Sequence, residues 1–522
     1  MRNLLQGFLM ALGLASALAV AKTAPSPWIR EFALCDPGCG PAIVAIDHTD
    51  AVWVALARAG KLARYRDGAV EMFDLGADSR PVGIAVTQDA LWIAASYDNK
   101  IIRFDLATQA VRSYAIDVEN SWPFFVAIGN DGAVWFSQRA ASKIGRLDPA
   151  TGAFKHFDTP TPNSGPAGVA VDKRTGRLWF TQSYADRIAS LDPESGAITE
   201  YPMGEEASTG LVSGPAGIAV DAQGGVWFAK LEGKLGHLAP DSKEIKLVDT
   251  PADARRPAGV ALDGRGSVWL VALDGNSLLR YQPDQGQFAS YPLPTGQPDL
   301  APSNPPAARS ARPFGIAADR QGNVWFSEQY TGQLGVIDAA APTVEILSPR
   351  AVVSERSILL TLRALDRVSG VRETLWSIDG KAVSPVNGRL DISTLQPGPH
   401  TLLASVKDHA GFASEAKSEF TLKPPAGKVP VRILDSAPYF EPAVVDVKVG
   451  DTVEWKYTPT PDAHRAAHNL QRVTIESLGV TSSALRAGDS FTYRFERPGT
   501  FKVHTAADDA ATDGGLVKVS AR

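Results

Sequence analysis

The clearest pattern along the chain is an apolar and polar alternation that returns at regular intervals over much of the sequence. Each return has a proline with a short apolar run, an Asp- or Gly-rich turn, and a second run around a tryptophan, as in RPFGIAADRQGNVWFSEQ from Arg312 to Gln329. Two such runs joined by hairpin turn chemistry predict antiparallel strands. Following segments such as KIGRLDP and TGAFKHF predict a third and a fourth strand. Each unit is therefore expected to be a four-stranded antiparallel sheet.

The unit occurs seven times, and each copy carries a tryptophan in the same place: Trp53, Trp92, Trp135, Trp179, Trp227, Trp269 and Trp325. Their spacing of roughly 40–55 residues is typical of propeller blades. The early segment WIREFAL, Trp28 to Leu34, is similar to the fourth-strand segment ITEYPM of a later copy. We therefore expect it to complete the last blade and close the ring. The sequence predicts an all-β, seven-bladed β-propeller over residues 28–340.

The N-terminus has the pattern of an export signal. A basic start at Arg2 precedes an apolar run from Phe8 to Val20, and small residues frame a cleavage site before Lys22. We expect a signal peptide over residues 1–21 and a periplasmic or secreted protein; the alternative is a retained membrane anchor. No later segment offers about 18 uninterrupted apolar residues, so no membrane span is expected after signal removal.

The chain has two cysteines, Cys35 and Cys39, in the segment CDPGC. A Pro-Gly turn can bring their Cβ atoms together in an oxidising compartment, so we expect a disulfide. The alternative is a thiolate metal site, although one pair without a matching second pair is a weak signal for it.

Composition narrows the class of partner. A chain of 522 residues is too long for one core, so several domains are expected. With 57 acidic and 52 basic residues, and a formal net charge of −5, it lacks the basic excess of a nucleic-acid binder. We expect a small molecule, a glycan or an envelope protein as partner, and no nucleic acid.

The repeats resemble the virginiamycin B lyase (streptogramin B lyase) family, whose units read PxGI, VWFT, NKIGRL and ITEYPLPT. The matching pieces are SKIGRLDPATGAFKHFDTPTP from Ser142 and ADRIASLDPESGAITEYPM from Ala185. The resemblance implies a seven-bladed propeller that opens a macrocyclic lactone by elimination. It also implies histidines in PHxI versions of the motif in the final blades, one of them the base, and carboxylates that hold Mg²⁺. Such an elimination needs a proton acceptor and a cation to stabilise the developing enolate.

This sequence departs from that pattern where the chemistry is expected. The residues after the motif prolines include no histidine; they are Val82, Phe124, Ala167, Ala216, Ala258 and Phe314. Phe314 thus occupies the base position, and Arg312 stands where the family has a carboxylate and would repel Mg²⁺. Glu328 stays as a magnesium ligand candidate. The propeller's histidines fall in turn or outer-strand contexts; they are His48, His156 and His237.

Polar residues close to the WF pairs are the binding candidates. We expect these residues to line the central funnel together with Arg312; they are Gln138, Gln182, Lys230 and Glu328. Two long insertions, GEEASTGLVSG before Pro215 and GQPDLAPSNPPAARSA before Arg312, should overhang the entrance, and binding residues often lie on such loops. The alternative is a set of solvated turns around a water-filled channel.

From Ala341 the repeat stops and a second pattern begins. The strands expected in SILLTLRALD, RETLWSIDGK and HTLLASVKDHAGF, and the ending PGPHTLLASVKDHAG, resemble a bacterial immunoglobulin-like sandwich over residues 341–423. In that fold His400 and His409 are ordinary strand and turn residues.

After a PPAGK linker, residues 428–522 resemble a cupredoxin of the plastocyanin type, through YFEPAVVDVKVGDTVEWKY, AHN and LRAGDSFTYRFERPGTFKVH. A blue-copper site requires a thiolate, two imidazoles and usually a thioether. His468 stands at the first imidazole position, but Thr505 replaces the cysteine and Asp508 the second histidine. Because these replacements remove the thiolate and one imidazole, the ligand chemistry excludes blue-copper electron transfer.

Some metal-binding capacity stays open in this segment. His464 and His468 lie four residues apart, and a colourless copper or zinc site built from them is one alternative; solvated loop histidines are the other. His504 precedes Thr505 on an expected strand, so alternation should point it away from the face that holds position 505.

The sequence thus favours an exported, non-catalytic propeller that binds a ligand or a protein and needs no cofactor. One alternative is an active carbon-oxygen lyase of the virginiamycin B lyase type, with a rebuilt site and magnesium. Another is a copper-binding periplasmic protein. Nitrous-oxide reductase also joins a seven-bladed propeller to a cupredoxin, but its propeller histidines and cupredoxin cysteines have no counterparts here.

Overall fold

The structure is a computed structural model that describes most of the chain beyond the N-terminus. The described residues are 28–203, 214–240, 242–296, 310–349, 351–353, 355, 357–423, 427–434, 439–459, 470–505 and 514–521. Several predictions concern residues outside these ranges; they are the signal peptide 1–21, most of the two insertions, His464, His468 and Asp508.

The chain divides into two compact units. The first comprises Met1–Val344, Ala364–Thr374 and Ser405–Glu415, and the second comprises Glu345–Arg363, Leu375–Ala404 and Ala416–Arg522.

The described part of the first unit contains seven four-stranded antiparallel sheets, as the repeat predicts. Its strands are β1 (Ile29–Ala33), β2 (Pro41–Ile46), β3 (Val52–Leu56), β4 (Lys61–Arg66), β5 (Ala69–Asp74), β6 (Pro81–Val86), β7 (Ala90–Ala95), β8 (Lys100–Asp105), β9 (Val111–Ala115), β10 (Pro123–Ile128), β11 (Val134–Gln138), β12 (Lys143–Leu147), β13 (Phe154–Asp158), β14 (Pro166–Val171), β15 (Leu178–Gln182), β16 (Arg187–Leu191), β17 (Ile198–Pro202), β18 (Pro215–Val220), β19 (Val226–Lys230), β20 (Lys234–Leu238), β21 (Ile245–Asp249), β22 (Pro257–Leu262), β23 (Val268–Ala272), β24 (Ser277–Gln282), β25 (Gln287–Pro292), β26 (Pro313–Ala318), β27 (Val324–Glu328) and β28 (Gln333–Ile337).

Blades 1 to 6 are the consecutive quartets from β2–β5 to β22–β25, and blade 7 is β26–β28 completed by β1. The first strands of successive blades contact one another, and β26 contacts β2, so the ring is closed. Strand β1 pairs antiparallel with β28, with Ile29 opposite Ile337. The prediction that WIREFAL completes the last blade is confirmed.

Individual blades are held by a hydrogen bond from the tryptophan to the hairpin turn, by a close contact between the second and third strands, or by both. In blade 6 the Trp269 Nε1 donates to Asp263 Oδ2 in the hairpin turn at 3.0 Å, and the indole is 1% exposed. In blade 3 the ring of Phe136 lies on Gly145, where a Cβ atom would come within 2.2 Å of it. The glycine of the KIGRL segment is therefore required by packing.

Beyond β28 the described strands form smaller sheets. They are β29 (Thr343–Ser348), β30 (Ala351–Val353), β31 (Ser357–Leu359), β32 (Thr361–Leu365), β33 (Val371–Ile378), β34 (Lys381–Val383), β35 (Arg389–Asp391), β36 (Gly398–Asp408), β37 (Ala413–Leu422), β38 (Lys428–Ile433), β39 (Phe440–Glu441), β40 (Val444–Lys448), β41 (Thr452–Tyr457), β42 (Val473–Ile475), β43 (Val480–Thr481), β44 (Ser490–Arg494), β45 (Gly499–Thr505) and β46 (Gly515–Ser520). A short 3-10 turn spans Glu476–Leu478.

The last described strands form a four-stranded sheet in the order β39-β38-β41-β44 and a five-stranded sheet in the order β40-β46-β45-β42-β43. Both sheets contribute to one apolar cluster that includes Trp455, Tyr457 and Phe501. On β45 the side chain of Thr505 is buried and His504 is half-buried on the other face. The alternation predicted for His504 is therefore present.

Candidate ligand-binding mouth of the propeller

A cavity of about 310 Å³ opens at the end of the ring where the inner strands begin, and we call it the mouth. Inner-strand residues of blades 3 to 7 line it: Phe124, Ala167, Ala216, Ala258 and Phe314. Among the described residues that line the mouth there is no histidine, aspartate or glutamate. The position that resembles the base of the lyases is held by Phe314, which is half-buried and forms part of an apolar wall.

Three arginines bring positive charge to this wall: Arg139, Arg256 and Arg312. Arg256 and Arg312 directly precede a motif proline, and each has a left-handed backbone with φ of 54°. At the same position blade 4 has Gly165, with φ of 58°. A side chain in this conformation costs about 1 kcal/mol relative to glycine, so both arginines are held at a position that favours glycine.

The guanidinium groups of Arg139 and Arg312 lie against aromatic rings. Arg139 Nε donates to Tyr184 Oη at 3.1 Å, and its guanidinium is 5.0 Å from the centroid of Phe124. Arg312 Nη1 donates to Tyr330 Oη at 2.6 Å. Within the described part of the chain neither group forms an ion pair with a carboxylate, so their charge is available to a ligand.

Among the described residues Arg256 forms one ion pair, a long one, with Nη1 3.4 Å from Asp274 Oδ2. The Nε atoms of Arg256 and Arg312 are buried, and no described group accepts a hydrogen bond from them. Buried donors of this kind are costly unless a partner completes them. The mouth therefore combines apolar walls with cationic donors that an anion could satisfy.

Of the five predicted funnel residues Arg312 lines the mouth, and the other four lie elsewhere, which corrects the sequence prediction. Each is the last residue of a second strand and is at most 6% exposed, and none lines the mouth; they are Gln138, Gln182, Lys230 and Glu328. Side chains alternate along a strand, so the next residue faces the mouth instead. In blades 3 and 4 these residues are Arg139 and Ser183.

The buried strand-end residue of blade 4 bonds to the outer strand of its own blade. Gln182 Nε2 donates to Glu200 Oε1 on the outer strand of blade 4 at 2.8 Å. Glu200 also accepts from Thr161, which precedes that blade, through its backbone N–H at 3.0 Å and its hydroxyl at 2.7 Å. We call this set of Gln182, Glu200 and Thr161 the blade-4 latch.

The other predicted strand-end residues, and two of the propeller's histidines, contact side chains within the blades. Gln138 Oε1 lies 2.8 Å from His156 Nδ1 on β13, and Lys230 Nζ lies 3.0 Å from Asp186 Oδ2. His237 on β20 stacks on Trp227 with ring centroids 3.9 Å apart. His48 lies exposed in the turn after β2. The structure thus keeps these histidines away from the mouth, as expected.

Glu328 belongs to a buried acidic pair in blade 7. It is 0% exposed, its Oε2 accepts from Thr331 Oγ1 at 2.5 Å, and it faces Glu31 on the closing strand β1. Burial raises the pKa of Glu328 to about 8, and the charge of Glu31 adds to the rise. Glu31 accepts from Thr295 N at 3.1 Å, so the arrangement repeats the blade-4 latch.

These residues do not fit the magnesium ion that the lyase resemblance implies. The described mouth residues supply guanidinium groups and no carboxylate, and Mg²⁺ requires oxygen ligands. Glu328, the remaining candidate, is buried inside blade 7 and pairs with Glu31.

Two further predicted sites can be located in part. Cys35 and Cys39 are joined as a disulfide with Cα atoms 6.3 Å apart. Thr505, at the position of the cupredoxin thiolate, is buried and its Oγ1 has no partner among the described residues. His504 Nε2 lies 3.4 Å from Glu476 Oε2 on the other face of β45, so the described residues do not fit a blue-copper site.

A second cavity, of about 480 Å³, lies between blades 7 and 1 and the segment 364–374. Arg66, Arg367 and Asp50 are among its lining residues, and Arg367 Nη1 lies 3.9 Å from Asp50 Oδ2. Acidic and basic groups are mixed there, so it lacks the unbalanced positive charge of the mouth. We call it the lateral cavity.

Comparison with known proteins agrees with the propeller fold. The sequence model of the virginiamycin B lyase family matches residues 10–211. A virginiamycin B lyase structure from Staphylococcus aureus is 22% identical over 59% of this chain and 98% of that chain, with a TM-score of 0.52. A streptogramin B lyase structure is 24% identical over 61% of this chain and 99% of that chain, with a TM-score of 0.53.

The first unit is a lyase-like β-propeller. A third similar structure is a catalytically inactive histidine-to-alanine variant of the Staphylococcus aureus lyase with quinupristin, at 22% identity over 59% of this chain and 98% of that chain and a TM-score of 0.52. Identities this low show the fold alone.

A comparison with curated proteins found no match. No helix in the described part of the chain is long and apolar enough to cross a membrane.

Proposed function

We propose that the protein is an exported, non-catalytic propeller whose mouth binds a small anionic molecule with an apolar body. The observation that carries this proposal is the meeting of Arg139, Arg256 and Arg312 at a cavity with phenylalanine walls. Guanidinium groups suit carboxylate, sulfate and phosphate, and apolar walls suit the rest of a ligand. Export is supported by the signal pattern of residues 1–21.

The absence of lyase chemistry is part of the proposal. Elimination needs a proton acceptor, and Phe314 stands where the family resemblance has its histidine. A histidine-to-alanine change leaves the Staphylococcus aureus lyase catalytically inactive. The family match ends at residue 211, before the blades that carry Arg256 and Arg312. The described mouth thus gives no observation in favour of a rebuilt lyase.

For the C-terminal region we propose an immunoglobulin-like spacer over residues 341–423 and a metal-free cupredoxin-like sandwich over residues 428–522. The apolar cluster around Trp455 and Tyr457 supports a core that needs no metal.

The test uses a matched pair of fluorescent probes. We expect 8-anilinonaphthalene-1-sulfonate to bind the mouth, and Arg312→Gln to weaken that binding about tenfold, because a charged hydrogen bond contributes about 1.5 kcal/mol or more. The neutral probe N-phenyl-1-naphthylamine should bind wild type and variant equally. Arg66→Gln, in the lateral cavity, is the control and should leave sulfonate binding unchanged.

Equal effects of Arg312→Gln on both probes would contradict an anion site, and a loss in Arg66→Gln would move the site to the lateral cavity. Magnesium-dependent opening of a streptogramin B by the wild-type protein would show that the propeller is a lyase after all.

A further inference from the structure

Three carboxylates from distant parts of the sequence meet within the first unit. Asp338 follows β28, Asp366 lies in the segment 364–374, and Asp408 lies in the segment 405–415. One oxygen from each residue lies within 4.8 Å of the corresponding oxygens of the other two. We call this set the aspartate cluster.

Each carboxylate is oriented by backbone hydrogen bonds to its Oδ1 atom. Asp366 Oδ1 accepts backbone N–H groups of its own turn, the shortest at 2.7 Å. Asp408 Oδ1 does the same in its turn, also at 2.7 Å, and Asp338 Oδ1 accepts one backbone N–H at 3.2 Å. The backbone therefore fixes all three side chains, as expected of a preformed site rather than of mobile surface acids.

A second observation points to a missing ligand. Asp338 is 4% exposed and Asp408 is 0% exposed, and the Oδ2 atom of each is buried with no hydrogen-bond partner among the described residues. Burial raises the pKa of Asp338 to about 6 and that of Asp408 above its usual range, and the charges of neighbouring aspartates add to both rises.

Among the residues that the structure describes, no lysine or arginine pairs with these carboxylates. In the described part of the chain none of the three aspartates forms an ion pair with lysine or arginine, and the charged neighbours of Asp338 are the other two aspartates. Buried carboxylates are normally paired, hydrogen-bonded or bound to metal. Metal is the partner for which these orphaned oxygens are suited.

We propose that Asp338, Asp366 and Asp408 bind one Ca²⁺ ion. The donors are all oxygen, which selects a hard cation. Ca²⁺ takes oxygen ligands at about 2.3–2.6 Å in a flexible geometry, and oxygens that lie within 4.8 Å of one another are close enough to share one such ion. Mg²⁺ requires near-ideal octahedral order, which three carboxylates fixed by separate turns are less suited to supply.

The site has a structural consequence and is independent of the ligand at the mouth. The ion joins the end of blade 7 to the segments 364–374 and 405–415, which are far apart in sequence and belong to the same compact unit. Because the ion would bind the folded state, calcium should stabilise that unit against unfolding.

The experiment is isothermal titration of the chelator-treated full chain with CaCl₂. We expect one Ca²⁺ per chain, with affinity reduced at least about tenfold in Asp338→Asn and in Asp408→Asn because each variant removes one anionic ligand. The matched control is Asp192→Asn, a half-buried turn aspartate outside the cluster that likewise accepts backbone N–H groups, the closest at 3.0 Å, and that pairs with Arg177. It should bind calcium as the wild type does.

Thermal melting with and without calcium guards against misfolded variants. Without calcium the two variants should melt at or above the wild-type Tm, since each removes a repelling charge, and they should lack the calcium-induced rise. If one variant fails to fold, Asp366→Asn carries the same comparison. The proposal is overturned if the wild type binds no calcium at about 10 mM, above the affinity range of extracellular calcium modules. It is also overturned if the variants keep wild-type affinity, or if Mg²⁺ binds as tightly as Ca²⁺.

Discussion

The mouth and the blade interiors of the propeller use polar side chains in opposite ways. In the blade-4 latch, Glu200 accepts hydrogen bonds from Gln182 in the same blade and from Thr161, which precedes that blade. At the mouth, Arg256 and Arg312 keep buried Nε donors with no partner among the described residues. Gln182 Oε1 in the blade-4 latch is also without a described partner, but Gln182 does not line the cavity. The difference teaches that polarity at a strand end does not mark a binding site, whereas unused hydrogen-bonding capacity beside a cavity does.

The largest effect should come from opening the blade-4 latch. Glu200→Ala leaves the Gln182 amide and Thr161 without their acceptor in a buried setting, so we expect a loss of about 2–3 kcal/mol in the free energy of unfolding. Thermal melting and denaturant titration measure it. Sulfonate binding at the mouth should be unchanged in the folded variant.

Glu194→Ala in the same blade is the control, since this exposed residue lies in a turn, and its effect should stay within about 0.5 kcal/mol. Should Glu200→Ala resemble this control in stability but weaken sulfonate binding, the strand-end residues would be ligand contacts and the comparison would fail.

A smaller effect is expected from the acidic pair of blade 7, and it depends on pH. Glu328 has a folded-state pKa raised from 4.5 to about 8. Its contribution to stability is fully present below about pH 4.5 and is lost as the pH rises to about 8, because there the unfolded chain gives up its proton first. Wild-type Tm should therefore fall by a few degrees across this range.

Glu328→Gln cannot titrate, so its Tm should vary less with pH and exceed that of the wild type near the upper end of the range. The exposed Glu119→Gln is the control and should keep the wild-type slope. An unchanged slope in Glu328→Gln would show that the carboxyl does not titrate as the pair requires.

The fold could be predicted because its signal is repeated. The seven tryptophans predict the number of blades, and the IREFAL segment predicts how the ring closes. Both signals are clear because each copy of the unit packs in the same way. The direction of single side chains could not be predicted in the same way. Gln138 and Arg139 are adjacent and both polar, and only the register of β11 decides that the first is buried and the second faces the mouth.

The aspartate cluster escaped the sequence for a different reason. Asp338, Asp366 and Asp408 stand in three ordinary turns, each with a local hydrogen-bonding role that explains the residue type. Their approach depends on tertiary packing between distant segments, which no periodicity encodes. A motif with fixed spacing would have been visible; a site assembled from single residues is not.

The smallest effect on stability is expected from Arg312→Gly, which distinguishes backbone strain at this position from its contribution to ligand binding. Arg312→Gly relieves the left-handed backbone, where φ is 54°, but loses packing on Tyr330 and adds flexibility to the unfolded chain. These terms oppose one another, so we expect the free energy of unfolding to change by less than about 1 kcal/mol. Sulfonate affinity should nevertheless fall about tenfold, as one guanidinium is lost. The matched control is Arg80→Gly. Arg80 has the same left-handed backbone conformation, with φ of 43°, and its guanidinium lies over Tyr97. Arg80 is not among the residues that line the mouth, so both variants should be equally stable and only Arg312→Gly should lose the sulfonate. If Arg80→Gly lost it equally, the arginines would act through a general positive field around the ring, and the site would not be the cavity between Phe124 and Phe314.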